Sequence, residues 1–230
     1  MAELCAVVGE SGSGKSSSLR NLDAKSTFII NVAGKNLPIK NYKKLYVPIS
    51  QNKETGEFSG NLLHSSNVDQ ISKILKVISV KMPHINNVII DDAQYLMAFE
   101  AMDRAQEKSY DKFTQMAQHF YLVLKEAMNA RPNLKIFVLM HSENIGDAIN
   151  PFFKIKTLGK MIDNMITMEG LFTYVLFTIK KVNEDKIVEY KFMTNGDGTN
   201  TAKSPMGCFD SLYIDNDLQY VIEKIDEYNG

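Results

Sequence analysis

The chain has 230 residues, enough for one α/β domain with a sizeable core and somewhat beyond the commonest domain length. Its 44% hydrophobic content, 23% charged content and net charge of -1 exclude a disordered or membrane-embedded composition. Near-neutrality gives no overall support to nucleic-acid binding, which would have to rest on a local basic patch.

In chain order, Leu4 to Val8 is an apolar run ending at Gly9, and Lys15 to Asn21 reads as a helix start, so the chain opens as strand, loop, helix. Thr27 to Val32 predicts a second strand, bounded by Ala33-Gly34. Gly34 to Gly60 carries scattered Gly, Pro, Lys and Asn with one apolar island at Leu45 to Ile49, and is expected to be mostly loop. From Val68, apolar residues recur through Ile71, Ile74, Leu75, Ile78 and Met82 at helical spacing, and Pro83 ends that helix. Asn87 to Asp91 is a continuous apolar run closed by a carboxylate, as in a strand buried on both faces. Phe113, Met116, Ala117, Phe120, Val123, Leu124 and Ala127 share one face of a further helix that stops before Arg131-Pro132.

Lys135 to Met140 predicts another buried strand, and a loop-rich passage runs from His141 to about Asn164. Thr173 to Ile179 and Ile187 to Met193 then read as a hairpin around Asn183-Glu184-Asp185. Thr194 to Thr201, with Gly196 and Gly198, is expected to be a mobile loop, and Asn216 to Tyr228 a terminal helix. Helices alternating with buried strands predict an α/β fold, a mainly parallel sheet flanked by helices, with a C-terminal antiparallel hairpin at one edge. The division expected is a single domain over 1–230: a nucleotide-binding core over 1–165, completed by strands and a helix over 166–230. With few residues before Gly9 no secretory leader is expected, and the longest apolar candidate for a membrane span, Leu171 to Ile179, contains Thr173 and Thr178. A cytoplasmic protein without membrane contact is expected. Cys5 and Cys208 have no metal-ligand spacing and read as incidental thiols.

The chemistry concentrates at Gly9-Glu10-Ser11-Gly12-Ser13-Gly14-Lys15-Ser16, which fits the P-loop pattern G-x-x-x-x-G-K-[ST]. Small residues let successive backbone N–H groups curl around a phosphate, with Ser17 just beyond, and the following helix start adds favourable partial charge. Lys15 is expected to neutralise phosphate oxygens and Ser16 to serve Mg²⁺, implying ATP with Mg²⁺ as ligands. Asp91, at a strand end, is placed to complete the metal site partly through water. Asp92 reads equally as a water-polarising carboxylate or as a helix N-cap or turn residue, and Gln94 is a weaker candidate for positioning water. His141, closing the next strand, is a candidate sensor of nucleotide state.

Arginines are confined to Arg20, Arg104 and Arg131, so a group acting in trans from a neighbouring subunit would be Arg104 or a lysine such as Lys203, which precedes Ser204-Pro205. Two patches have nucleic-acid character. Lys35, Lys40, Lys43 and Lys44 are interleaved with Tyr42 and Tyr46, and Lys154, Lys156 and Lys160 follow Phe152-Phe153. Either patch alone reads more simply as a solvated basic face.

With Gly9 to Ser16, Ile89-Ile90-Asp91-Asp92, His141-Ser142-Glu143 and Thr201 to Gly207 in order, the chain resembles the phage-type RecA-like ATPases, the small recombination proteins of the Sak-four kind. The resemblance implies a RecA-like core, ATP hydrolysis, assembly into a homo-oligomeric ring or filament, and work on single-stranded DNA with a strand-annealing or single-strand-binding partner. It also implies that the segments after Asp92 and after His141 occupy the places of DNA-binding loops, the second holding Lys154, Lys156 and Lys160. RecA itself has a glutamate at the end of the strand after the P-loop helix, where this chain reads Ile29-Ile30-Asn31-Val32, so the resemblance does not assign the water-activating residue. A helicase or loader-type ATPase of replication, and a nucleotide-gated binding module with little turnover, are the alternatives. A small-molecule kinase is disfavoured by the lack of arginine after Arg131.

Overall fold

The computed structural model describes residues 1–109, 111–157 and 166–230. Its centre is an eight-stranded sheet of order β12-β11-β10-β1-β7-β6-β2-β5. β1 (Glu3–Val8), β2 (Thr27–Asn31), β5 (Leu62–His64), β6 (Asn87–Asp91), β7 (Lys135–Met140) and β10 (Tyr174–Val182) run parallel. β11 (Val188–Met193) and β12 (Tyr213–Asp215) add antiparallel pairings at one edge. The result is an α/β fold with a mostly parallel sheet and an antiparallel border.

The period of two along each strand divides the core. Leu4, Ala6 and Val8 of β1 point to the face covered by α2 (Val68–Lys81) and α4 (Asp111–Met128), where Ile71, Ile78, Phe120 and Leu124 are buried. Cys5 and Val7 point to the opposite face, onto Leu19 and the terminal helix α5 (Leu218–Asn229) through Leu218, Val221 and Ile225. Burial on both faces explains why β6 and β7 read as unbroken apolar runs. α2 begins where the Asn67 side chain accepts from the Gln70 N–H at 2.9 Å, and α5 where Asp217 accepts from the Gln219 N–H at 3.0 Å.

Several expectations are corrected. The helix after the P-loop is a short 3₁₀ segment, Ser16–Asn21. Consecutive serines explain this, because their hydroxyls compete for the backbone: Ser18 Oγ donates to the Lys15 carbonyl at 2.5 Å. The stretch over 34–60 is mostly loop, as expected, and holds only the short α1 (Tyr42–Leu45) and a two-stranded ribbon of β3 (Ser50–Gln51) and β4 (Phe58–Ser59). Further elements stand where none is predicted: the sheet-edge strands β5 and β12, α3 (Tyr95–Asp103), and a hairpin of β8 (Ser142–Asn144) with β9 (Phe153–Ile155). Phe113 lies exposed, outside the buried face of α4. The 194–201 loop is anchored near its ends, where Gly196 N–H donates to Ala202 O at 2.8 Å and Thr201 N–H to Phe153 O at 3.1 Å. The terminal helix is capped by Asp217, one residue later than expected. Cys5 and Cys208 are both buried and free. Among the described residues no helix is long and apolar enough to cross a membrane.

Candidate functional site

Parallel strands bring their carboxyl ends to one edge of the sheet, and the residues following those ends meet there. The loop from Gly9 follows β1, Asn31 closes β2, Asp91 closes β6 and His141 follows β7. Ser16 Oγ donates to Asp91 Oδ1 at 2.9 Å and Oδ2 at 3.1 Å, joining the P-loop to a strand end 75 residues away. Ser11, Gly12, Gly14, Lys15, Ser16 and Ser17 line a cleft of about 300 Å³, which is also bounded by Lys35, Asp92, His141 and Tyr190. Gly9, Glu10 and Ser13 lie on the other flank of the loop, beside Phe153 and Thr178.

The loop's small residues are a steric requirement. A Cβ on Gly9 would stand 1.8 Å from Thr178 Oγ1, and Gly14, at φ +100°, would drive one against Tyr190 and Asn216. Ser13 Oγ and Thr178 Oγ1 share a hydrogen bond at 2.5 Å, which fastens the loop to β10. Lys15 is folded back, its ammonium donating to the carbonyls of Gly9 and Glu10 at 2.7 Å each. Burial lowers its pKa from 10.5 to about 8, against the opposing pull of Asp92 and Asp91.

Asp91 is fully buried, and that burial, followed by the neighbouring Asp92 charge, raises its pKa from 3.8 to about 6. One hydroxyl and one carboxylate at this spacing form a hard oxygen donor set, which suits Mg²⁺ completed by phosphate oxygens and water. Asp92 is 1% exposed and adopts φ 59°, in the left-handed region that disfavours side chains other than Asn and Asp. Its Oδ2 lies 2.5 Å from Lys35 Nζ, a close ion pair without hydrogen-bond alignment. His141 Nε2 stands 3.8 Å from Asp92 Oδ1, and burial, with Lys15 nearby, lowers its pKa, so the ring is neutral at pH 7. Gln94 Oε1 accepts from the His141 N–H at 3.3 Å, while its buried Nε2 has no partner.

The structure therefore brings Lys15, Ser16, Asp91, Asp92 and His141 together. Other expected residues stand elsewhere. Arg104 is engaged by Glu100, Glu107 and Gln115 at 2.7 to 2.9 Å. Lys203 pairs its backbone with Val175, continuing the sheet beside β10, and does not line the cleft. Lys154 is paired with Glu143 at 3.2 Å, Lys156 is exposed next to β9, and Lys160 lies outside the described residues. Tyr46 is buried at 1% exposure and cannot stack on a base, and Lys35 is turned into the cleft, which breaks up the first basic patch.

Lys35, Tyr190, Thr178 and Asn31 are members of the site, or its supports, that sequence reasoning missed in these roles. For Lys35 a signal existed: it follows the end of β2 by a few residues, across the Gly34 turn, and loops after strand ends are where such sheets place their sites. Tyr190 reaches the cleft only through the register of β11 on β10, which no local pattern encodes.

No protein-family model matches the chain, and no curated protein matches it in sequence. Among solved structures it is similar to the ATPase DotB of Legionella pneumophila, at 8% identity and a TM-score of 0.39, over 86% of this chain and 47% of that one. The chain thus spans about half the length of that structure.

Proposed function

We propose that this chain is a Mg²⁺-dependent ATPase with a RecA-like core, folded as a single domain over 1–230. The observation that carries the reading is the contact of Ser16 Oγ with both Asp91 oxygens at 2.9 and 3.1 Å, at the wall of a cleft that Ser16 lines together with Lys15, Asp92 and His141. The backbone of Gly9 to Ser16 would cradle the phosphates, Lys15 would leave the Gly9 and Glu10 carbonyls for phosphate oxygens, and Ser16 with Asp91 would hold the metal. Mg²⁺ bound there would neutralise charge developing on the phosphates. Asp92, within reach of the same cleft, would orient the attacking water, and neutral His141 would hydrogen-bond near it. By its sequence resemblance the chain would act in the cytoplasm on single-stranded DNA, as a homo-oligomer, with a strand-annealing or single-strand-binding partner.

ATP turnover with and without single-stranded DNA, with Lys15→Ala as the blank, tests both levels of the reading. Turnover that requires Lys15 and Mg²⁺ supports the ATPase, and stimulation by DNA supports the recombination role. Turnover without any response to DNA would leave an ATPase of another process, and absence of nucleotide binding would refute the whole reading.

A further inference from the structure

Lys35 presents a problem that the site's other residues do not. It is a lysine on a loop, half exposed, with its ammonium drawn down to a carboxylate that is almost completely buried. Burial pulls its pKa down, yet Asp92 outweighs this and leaves it above the ordinary value. The loop that carries it is held at three points. Asn31 Nδ2 donates to the Lys35 carbonyl at 2.6 Å, Gly34 N–H donates to Asn31 O at 3.3 Å, and Val32 N–H donates to Asp91 O at 3.2 Å. Asn31 stands at 0% exposure at the end of β2, in register with Asp91. A buried amide has thus been used to fix where Lys35 starts, while its long side chain keeps the freedom to move.

The cations available to the cleft are few. The arginines are committed elsewhere: Arg20 to the carbonyls of Ser17 and Asn216, Arg104 to Glu100 and Glu107, and Arg131 to the carbonyls of Ile78 and Ile85. Among the described residues lining the cleft, the lysines are Lys15 and Lys35. A triphosphate concentrates its negative charge at the terminal group and draws on every cation in reach.

Resting on the ATPase reading, we propose that Lys35 is a cis-acting reader of the terminal phosphate. It is held by Asp92 in the nucleotide-free protein and exchanges that partner for phosphate oxygens when a nucleoside triphosphate binds. The exchange couples two events. It supplies a second cation to the terminal phosphate, and it strips Asp92 of its counter-charge, leaving a buried carboxylate with free acceptor oxygens beside the position an attacking water would take. A diphosphate offers Lys35 no terminal group at that position, so the ion pair with Asp92 persists and the site stays closed. Asn31 is in this account a positioning residue, acting through the Lys35 backbone.

The test is equilibrium binding, measured by calorimetry with Mg²⁺, of ADP and of the non-hydrolysable β,γ-imido analogue of ATP. Lys35→Ala is expected to weaken the triphosphate analogue by about tenfold or more and ADP by less than about twofold, with Lys35→Arg recovering most of the loss. Asp92→Asn is expected to tighten the analogue in the parent chain and not in the Lys35→Ala background, because the gain comes from freeing Lys35. Equal losses for both nucleotides, no loss for either, or an equal gain from Asp92→Asn in both backgrounds would overturn the exchange while leaving the ATPase reading intact. A parent chain that binds neither nucleotide would overturn both.

Discussion

Replacing Asp91 by asparagine should stabilise the nucleotide-free protein while disabling its site. Asp91 is fully buried, and its pKa is raised from 3.8 to about 6, first by burial and then by Asp92. At about 1.36 kcal/mol per pH unit, that difference makes the ionised form cost roughly 3 kcal/mol in the folded state. Between pH 4 and 6 the folded protein binds more protons at this residue than the unfolded chain does, so this group's contribution lowers stability as pH rises through the window. Above it the full penalty applies. Asparagine keeps the shape and one oxygen to accept from Ser16 Oγ, but carries no charge. Without nucleotide or Mg²⁺, Asp91→Asn should melt about 6–12 °C higher than the parent at pH 7.5, from about 2–4 °C per kcal/mol in a domain of this size. The gain should shrink towards zero near pH 4. Melts of both proteins across pH 4–8, with urea titrations at the two ends, measure this. A variant less stable than the parent at pH 7.5, or a difference independent of pH, would refute the reasoning.

On the proposed reading Lys15→Met should abolish triphosphate binding, and yet it should stabilise the protein measured without nucleotide by about 1–2 kcal/mol at pH 7, because burial lowers the Lys15 pKa to about 8 and losing the contacts to Gly9 and Glu10 offsets only part of the cost removed. Between pH 8 and 10.5 the folded parent holds fewer protons here than the unfolded chain, so its stability should rise to the variant's and past it, as paired melts would show. Gly9→Ala should cost about 1–3 kcal/mol in the parent but clearly less in a Thr178→Ala background, since Thr178 Oγ1 is the atom its Cβ meets. Equal costs in urea titrations would contradict that contact. Tyr46→Phe should stabilise by about 1 kcal/mol by removing a buried hydroxyl that has no partner, and a loss in the same titration would show that the hydroxyl is satisfied.

How far the sequence could be read depended on whether the information was local. β1, β6 and β7 were legible because their apolar runs are continuous, and α2 and α4 because their periodicity holds over several turns. The P-loop and Asp91 were legible because spacing and strand end are local features. α3 was missed because only Leu96 and Met97 of its residues are buried, which gives no long stripe to detect. Lys35 was read as part of a basic face because its neighbours are lysines and tyrosines. That it turns inward depends on Asn31, Asp91 and Asp92 meeting across β2 and β6, a pairing that no window of sequence contains.

The cleft at the carboxyl ends of the strands is assembled from groups that oppose folding. Lys15 is buried with its charge, Asp91 is buried beside a second carboxylate, and Asp92 is held at a positive φ. The β1, β6 and β7 core, buried on both faces, is what tolerates them, since each is tethered to a strand end that cannot relax without breaking the sheet. Their unfavourable energies share one remedy. A polyanion with a divalent cation would satisfy Lys15, Ser16 and Asp91 at once, and the strain relieved would appear as binding energy. On the proposed reading, Lys35 extends this logic to the one carboxylate that the metal does not engage. Its ion pair with Asp92 would keep that carboxylate occupied until a terminal phosphate is present, and the exchange would then free it. The residue at the end of β2 then has a purpose without being an acid: Asn31 would set the starting point of the lysine that governs Asp92, instead of acting on water itself.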